Sequence, residues 1–309
     1  MAPQGPVVRP GRKPQVSDDP GSDRRTSPQP MPIISLLDVE DRLRGVGSVA
    51  LGGMLLENRP STLVRALIRS GARDLFLCSA PAASWDADVL IGAGLVSRVR
   101  IPHISMAGLG LAPHVRGAAE DGSVVFEDCD EAMLLGGYLA ASNNAWFQVL
   151  DNLGTNDLVD DNPLRVTAGG LVGVAPLRID VALLHAPLGD EKGNLVHFGS
   201  RWADVLMARS ARHVIAQVDR VVSTAEAARL GVSIPGYLID DVVETPFGAH
   251  PLGSVGSYAA DLEHLADYQA QVKAGGFADY LAQRCHVDHD AYVAGLPTAR
   301  LRELEMAGC

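Results

Sequence analysis

The 309-residue sequence is poor in cysteine chemistry: its four cysteines, Cys78, Cys129, Cys285 and Cys309, stand singly, with no Cys-x-x-Cys pair. That spacing speaks against a disulfide framework and against a thiolate metal site, so reduced thiols are expected. It also lacks a basic cluster beyond its first thirty residues. Lysine and arginine total 26 against 37 aspartates and glutamates, for a net charge of -11, which argues against nucleic acid and anionic membranes as partners. No apolar run approaches the ~18 residues of a membrane-spanning helix, and the N-terminus has no apolar signal core; the expected location is cytoplasmic. Neither a Gly-x-Gly-x-x-Gly fingerprint with a following acidic residue nor a phosphate loop ending in Gly-Lys-Ser/Thr occurs. A Gly-x-Ser-x-Gly nucleophile elbow is absent as well. The nine histidines are dispersed, and the one close pair, His286 and His289, reads as solvated surface rather than a metal site.

What is present is an apolar chain, 47% hydrophobic, long enough to bury roughly 75% of its unfolded surface without a metal or disulfide staple. Residues 1–30 hold seven of the nineteen prolines and almost no large apolar groups, so they are expected to form a disordered tail. Residues 31–309 are expected to form one domain. Ser35-Leu36-Leu37-Asp38 has capping-box form and opens a first helix ending near Gly45 or Gly47. Short apolar runs then alternate with amphipathic stretches. Val49–Leu51, Leu75–Cys78, Val99–Ile104, Ser123–Phe126, Val181–Leu184, Val214–Val218 and Leu238–Val243 read as strands. A helix capped by Ser61 or Thr62 and stopped by Gly71, one at Ala87–Ile91 and one at Ala132–Ala141 fall between them. This pattern predicts an α/β fold, a mostly parallel sheet with helices on both faces. From about Tyr258 onward a closing helical segment is expected.

In such a fold, ligands bind beyond the carboxyl ends of the strands. Gly52-Gly53-Met54 follows the first strand; paired glycines there let backbone come close to a ligand and aim N–H groups at an anionic centre. Gly92-Ala93-Gly94 and Gly108-Leu109-Gly110 are further glycine joints at inferred sheet ends, and each can equally be a turn. Glu127-Asp128-Cys129-Asp130-Glu131 opens the Ala132–Ala141 helix. Asp130 is the natural cap, and Glu131 is a candidate catalytic carboxylate. Gly189-Asp190-Glu191-Lys192-Gly193-Asn194 reads as a polar turn between strands, and Asp219-Arg220 as a strand-end ion pair.

Taken in order, these pieces resemble the α subunit of a family I coenzyme A transferase of the glutaconate CoA-transferase type. The matching stretches are Gly52-Gly53 with Arg59-Pro60 and Leu63 to Arg69, Leu90 to Arg100, Gly108 to Pro113, the Glu127 to Glu131 junction, and Leu153-Gly154-Thr155. Gly189 to Asn194, Asp219 to Val222 and Val243 to Pro251 follow. The likeness covers about residues 45–255. Two places depart from the family pattern: Met54 stands where an aromatic residue is usual, and Ser142–Asp151 replaces a Gly-Leu-Pro-Phe-x-Pro-x-Arg run, removing its arginine.

The resemblance implies a hetero-oligomer, such as α2β2, in which a β subunit completes the active site. There a glutamate of the β partner attacks an acyl-CoA, forming an anhydride and then a glutamyl-CoA thioester before CoA passes to an acceptor carboxylic acid; a dry site conserves the thioester's energy. Gly52, Gly53, Met54, Gly108, Gly110, Gly154 and Thr155 would contact substrate or CoA. The amides of Gly52 and Gly53 would face the reacting carbonyl, where one donor is typically worth ~3 kcal/mol. Coenzyme A is then a substrate, and no tightly bound cofactor or metal is expected. The chain also resembles ring-opening CoA hydrolases of the same superfamily, in which the glutamate at Glu131 would be the general base. A third reading is a non-catalytic CoA-binding subunit.

Overall fold

A computed structural model describes residues 33–150 and 162–308. Helix α1 (Leu36–Leu43) opens with the expected box: the Ser35 hydroxyl accepts the Asp38 N–H, and the Asp38 carboxylate accepts the Ser35 N–H. Two donors that a helix start leaves over are thereby satisfied. Strand and helix then alternate through β1 (Ser48–Leu51), α2 (Ser61–Ser70), β2 (Leu75–Ser79), α3 (Trp85–Gly92), β3 (Val96–Arg100), α4 (Pro113–Asp121), β4 (Val125–Phe126) and α5 (Glu131–Ser142). Gly71, at φ +77°, stops α2 as expected. Ser61 and Thr62 do not cap it, however: Pro60 holds that place, the Ser61 hydroxyl donates to the Ala249 carbonyl (2.6 Å), and the Thr62 hydroxyl lies 3.1 Å from both the Gly248 carbonyl and His289 Nδ1.

After β5 (Gln148–Val149) come β6 (Arg165–Ala168), β7 (Leu171–Val174), β8 (Ile179–Asp190), β9 (Leu195–Val196), α6 (Asp204–Ser210), β10 (Ala211–Val222), α7 (Thr224–Leu230) and β11 (Asp241–Glu244). The eight-stranded main sheet runs β11-β10-β8-β1-β2-β3-β4, parallel along that path, with β9 antiparallel to β8. Its two faces carry two cores, as period-two strands require. Val49, Leu51, Leu75, Leu77 and Val99 pack with α2 and α3, while Ala50, Cys78, Ala182 and Leu184 pack with Leu134, Tyr138 and Met207 of α5 and α6. The C-terminal part is helical, as expected: α8 (Leu262–Lys273), α9 (Phe277–Tyr280), α10 (His289–Ala294) and α11 (Thr298–Gly308). Among the described residues no helix is long and apolar enough to cross a membrane.

Several boundaries differ from the sequence reading for identifiable reasons. β8 is twelve residues long because His185, which reads in sequence as the polar end of the run, is fully buried and hydrogen-bonded inside. β3 stops at Arg100, two residues before Pro102, which has no N–H for a ladder. The start of the expected Leu238–Val243 strand is a 3-10 turn, and β11 begins at Asp241. A small antiparallel sheet, β5-β7-β6, has no counterpart in the sequence reading. Its strands are too short to show alternation, and its clearest signal is the Gly169-Gly170 turn, with both φ angles positive. The histidine pair also separates: His286 is exposed, whereas His289 is buried, bonded to the Thr62 hydroxyl (3.1 Å) and the Pro246 carbonyl (2.9 Å).

Candidate active site

Strands β2, β3 and β4 lie to one side of β1, and β8, β10 and β11 to the other. The strand order therefore reverses between β1 and β8, and the crevice outside their carboxyl ends is where such sheets bind ligands. Gly52-Gly53 stands at that point. The Gly52 N–H donates to the Leu183 carbonyl of β8 (2.9 Å), and the Gly53 N–H donates to Asp204 Oδ1 (2.8 Å). The two amides expected to face a reacting carbonyl are thus bonded within the chain. The glycines have a different physical reason. A Cβ on Gly52 would lie 2.6 Å from Leu184 Cδ2 and 2.8 Å from Asp204 Oδ1. Gly53 has φ +73°, and its Cβ would lie 2.2 Å from the Asn58 carbonyl oxygen. Gly52 thus leaves room for Leu184 and Asp204, and Gly53 leaves room for the backbone of Glu57 and Asn58.

From Gly53 the chain turns through a small hairpin. The Met54 N–H donates to the Glu57 carbonyl (3.0 Å), the Glu57 N–H returns to Met54 (2.8 Å), and Leu55 N–H reaches the Ala82 carbonyl (3.2 Å). Leu55 and Asn58 hold φ of 51° and 53°, the kind of strain that surrounding bonds must maintain. Those bonds exist. Asn58 N–H donates to the Gly253 carbonyl (2.8 Å), and Asn58 Oδ1 accepts the Val255 N–H (2.9 Å). Below the hairpin, Arg59 is fully buried. Its Nη1 donates to the carbonyls of Gly53 and Ala82 and to Ser79 Oγ, each at 3.0 Å, while Nε (2.7 Å) and Nη2 pair with Asp86. Met54 is half-buried at this rim.

The acidic junction separates into distinct roles. Asp130 caps α5 by accepting the Met133 N–H (2.7 Å). Glu127, at the end of β4, pairs with Arg98 (3.2 Å) and with Arg100, and the Arg98 guanidinium lies 4.0 Å over the Phe76 ring. Glu131 is the first residue of α5, exposed, and no cation pairs with it among the described residues. Burial pushes the Cys129 thiol up to about 12, more than Arg100 offsets, which makes it a poor nucleophile. Gly108 and Gly110 bracket the turn after β3, the latter at φ +92°; a Cβ on either meets nothing within 4 Å, so this joint faces open space. Gly154 and Thr155 lie outside the described residues.

Sequence reasoning missed the polar groups beneath the rim. Asp204 is fully buried, with its Oδ2 accepting no hydrogen bond among the described residues and lying 3.7 Å from His197 Nε2. Further along, Gln217 Nε2 donates to His185 Nδ1 (2.9 Å), His185 Nε2 meets Ser254 Oγ (2.9 Å), and Ser254 donates to Asp219 Oδ2 (2.6 Å). With serine between histidine and carboxylate, and buried, this is a brace rather than a nucleophile arrangement. Asp219 also accepts from Tyr258 Oη (3.1 Å) and Gly248 N–H (3.1 Å), while Arg220 pairs with Glu226. Asp219 and Arg220 therefore do not form the expected ion pair, because adjacent strand residues point to opposite faces. The turn reading of Gly189 to Asn194 fits: Asp190 accepts the Lys192 and Asn194 N–H groups, both at 2.9 Å, and Gly193 has φ +76°.

One set of metal-ligating types gathers among the described residues, His250, Asp261 and His264. Each is already bound by the chain. His250 meets Tyr292 Oη (2.7 Å) and Asp261 (3.2 Å), His264 meets Tyr280 Oη (2.9 Å), and Arg300 donates to Asp261 (2.8 Å). Arg300 supplies the positive charge a metal would bring, so the cluster ties α8, α10 and α11 together.

The sequence model of the family described as Coenzyme A transferase matches residues 42–245. The A chain of glutaconate CoA-transferase from Acidaminococcus fermentans is 26% identical over 287 residues, covering 84% of this chain and 89% of the relative. The cholesterol ring-cleaving hydrolase IpdA subunit of Rhodococcus jostii is 29% identical over 258 residues, covering 78% of this chain and 86% of its own length. The crystal structure of the Acidaminococcus fermentans glutaconate coenzyme A-transferase superposes with a TM-score of 0.80 over 88% of this chain and 95% of that one, at 26% identity. A cysteine-to-serine variant of the AibA/AibB decarboxylase superposes at 0.74 over 82% of this chain and 98% of that one, at 29% identity.

Proposed function

Because the chain belongs to the coenzyme A transferase family, we propose that it is the α subunit of a two-subunit enzyme that moves CoA from an acyl-CoA to a carboxylic acid through a glutamyl-CoA thioester on the partner. The likeness to the A chain of glutaconate CoA-transferase along 84% of the sequence carries this reading. A glutamate carboxylate of the β partner attacks the thioester carbonyl and expels CoA thiolate, leaving an acyl-glutamyl anhydride. The thiolate attacks the glutamyl carbonyl of that anhydride, releasing the first acid and forming the enzyme thioester; the acceptor acid then reverses both steps. No water is consumed, so the crevice must stay dry. This chain supplies the β1 side of the crevice. The Met54–Glu57 hairpin, Gly52 and Gly53, and the open joint at Gly108 and Gly110 form its wall, with Gly154 and Thr155 as further contacts to substrate or CoA.

A second reading is supported by two observations. Glu131 is exposed at a helix start with no cation beside it among the described residues, as a general base in a ring-opening hydrolysis would need to be, and an IpdA subunit is among the relatives. The complex of this chain with its partner separates the two. Under the transferase reading, initial rates show ping-pong kinetics and Glu131→Gln lowers kcat by about 10-fold or less; loss of a general base costs typically 10²–10⁴-fold. Ordered kinetics with activity abolished in Glu131→Gln would overturn the transferase reading in favour of the hydrolase.

A further inference from the structure

Gly53 is held from both ends by buried polar side chains. Its N–H donates to the Asp204 carboxylate at 2.8 Å, and its carbonyl accepts from the Arg59 guanidinium at 3.0 Å. Both side chains are fully buried. Arg59 is compensated by Asp86, but Asp204 has no comparable partner: its Oδ2 accepts no hydrogen bond among the described residues, and the nearest histidine nitrogen is 3.7 Å away. A buried carboxylate in that state is a liability for folding, and such departures from local consistency concentrate at functional sites. The sequence around it is shaped to keep it. Gly52 has no Cβ where Asp204 Oδ1 would stand 2.8 Å away, and Gly53 adopts a φ that leaves its N–H aimed at the same oxygen.

We propose that Asp204 is a positioning residue, which together with Arg59 clamps the Gly53 peptide and so fixes the Met54–Glu57 hairpin over the crevice between β1 and β8. This rests on the reading of that crevice as the CoA-transfer site. The clamp adds to the Ala82, Gly253 and Val255 bonds that hold Leu55 and Asn58 at positive φ: the root of the hairpin cannot rotate while both polar groups of Gly53 are bonded to side chains that the surrounding core immobilises. A wall held in this way keeps a thioester and an attacking carboxylate in register, and a 1 Å misplacement of reacting groups costs about 10²-fold in rate.

The test uses the complex of this chain with its partner and three forms of it: wild type, Asp204→Ala and Asp204→Asn. Asparagine keeps an oxygen acceptor for the Gly53 N–H, whereas alanine removes it. Hydrogen exchange followed by mass spectrometry is expected to show the segment from Gly53 to Asn58 exchanging at least about 10-fold faster in Asp204→Ala, with Asp204→Asn close to wild type. In the same preparations kcat for CoA transfer is expected to fall at least about 10-fold in Asp204→Ala, with KM for the acyl-CoA changed less than about threefold, and to be rescued by Asp204→Asn. Unchanged exchange in the hairpin of a folded Asp204→Ala protein would overturn the clamp. So would a loosened hairpin with wild-type kcat. The exchange measurement needs no substrate, so a wild-type complex that transfers no CoA would refute the functional reading while the clamp is still judged on exchange.

Discussion

Replacing Gly53 by alanine exposes the reason for glycine at that position. A φ of +73° puts an L-residue in the left-handed region, at about 1–2 kcal/mol. The new Cβ would also stand 2.2 Å from the Asn58 oxygen and 2.5 Å from the Glu57 oxygen. Both are backbone atoms in a hairpin tied to residues 253 and 255, so no side-chain rotation relieves the overlap; overpacking of this kind costs about 1–3 kcal/mol. The total is about 2–5 kcal/mol. Gly52→Ala meets only side-chain atoms, Leu184 Cδ2 at 2.6 Å and Asp204 Oδ1 at 2.8 Å, and should cost about 1–3 kcal/mol. Gly108→Ala faces open space and should stay within about 0.5 kcal/mol of wild type. Urea unfolding followed by far-UV circular dichroism, at unchanged m-value, reads all three. The reasoning is refuted if Gly53→Ala lies within about 1 kcal/mol of wild type, or if Gly108→Ala is destabilised as much as Gly53→Ala.

Arg59→Met leaves the buried Asp86 carboxylate and the Gly53 and Ala82 carbonyls without their donor; unfolding should show a loss of about 3–5 kcal/mol, recovered only in part when Asp86 is also replaced by leucine, because the two carbonyls stay unpaired. A single variant as stable as wild type would contradict this. Burial, with Arg65 nearby, pushes the His289 imidazole down to about 4. The folded state therefore favours the neutral ring, so its contribution is complete above about pH 6.5 and declines as pH falls toward 4. Between pH 7 and pH 5 the stability advantage of wild type over His289→Gln should shrink by about 2 kcal/mol, and an advantage that grows on acidification would show the sign to be wrong. Cys129, its thiol held up by burial, should resist iodoacetamide at about pH 7.5 in the native protein and react on unfolding; rapid native alkylation would show a thiolate at the rim.

Much of the fold is legible in the sequence because the deciding signals are local. The Ser35–Asp38 box, Gly71 and the Asp130 cap each act within a turn of their own helix, and continuous apolar runs such as Leu75–Cys78 announce strands buried on both faces. That Gly52-Gly53 follows the first strand is legible for the same reason. What those glycines do is not. Asp204 sits 151 residues further along, at the start of a short helix, and nothing in its neighbours shows that its carboxylate returns to β1. His185 likewise reads as the polar end of a strand because its partners, Gln217 and Ser254, come together only in the folded sheet. Polar residues that stabilise one another across long sequence separations leave no periodic trace, whereas apolar faces do.

Under the proposed function, this chain forms one side of a crevice in which CoA rests covalently on a partner's glutamate. Intact-mass spectrometry of the purified two-subunit complex, incubated with an acyl-CoA and no acceptor acid, tests it directly. The expected result is a CoA adduct on the β partner that hydroxylamine or borohydride removes and that disappears when an acceptor acid is added. Turnover of acyl-CoA without any such adduct on either polypeptide would contradict that function.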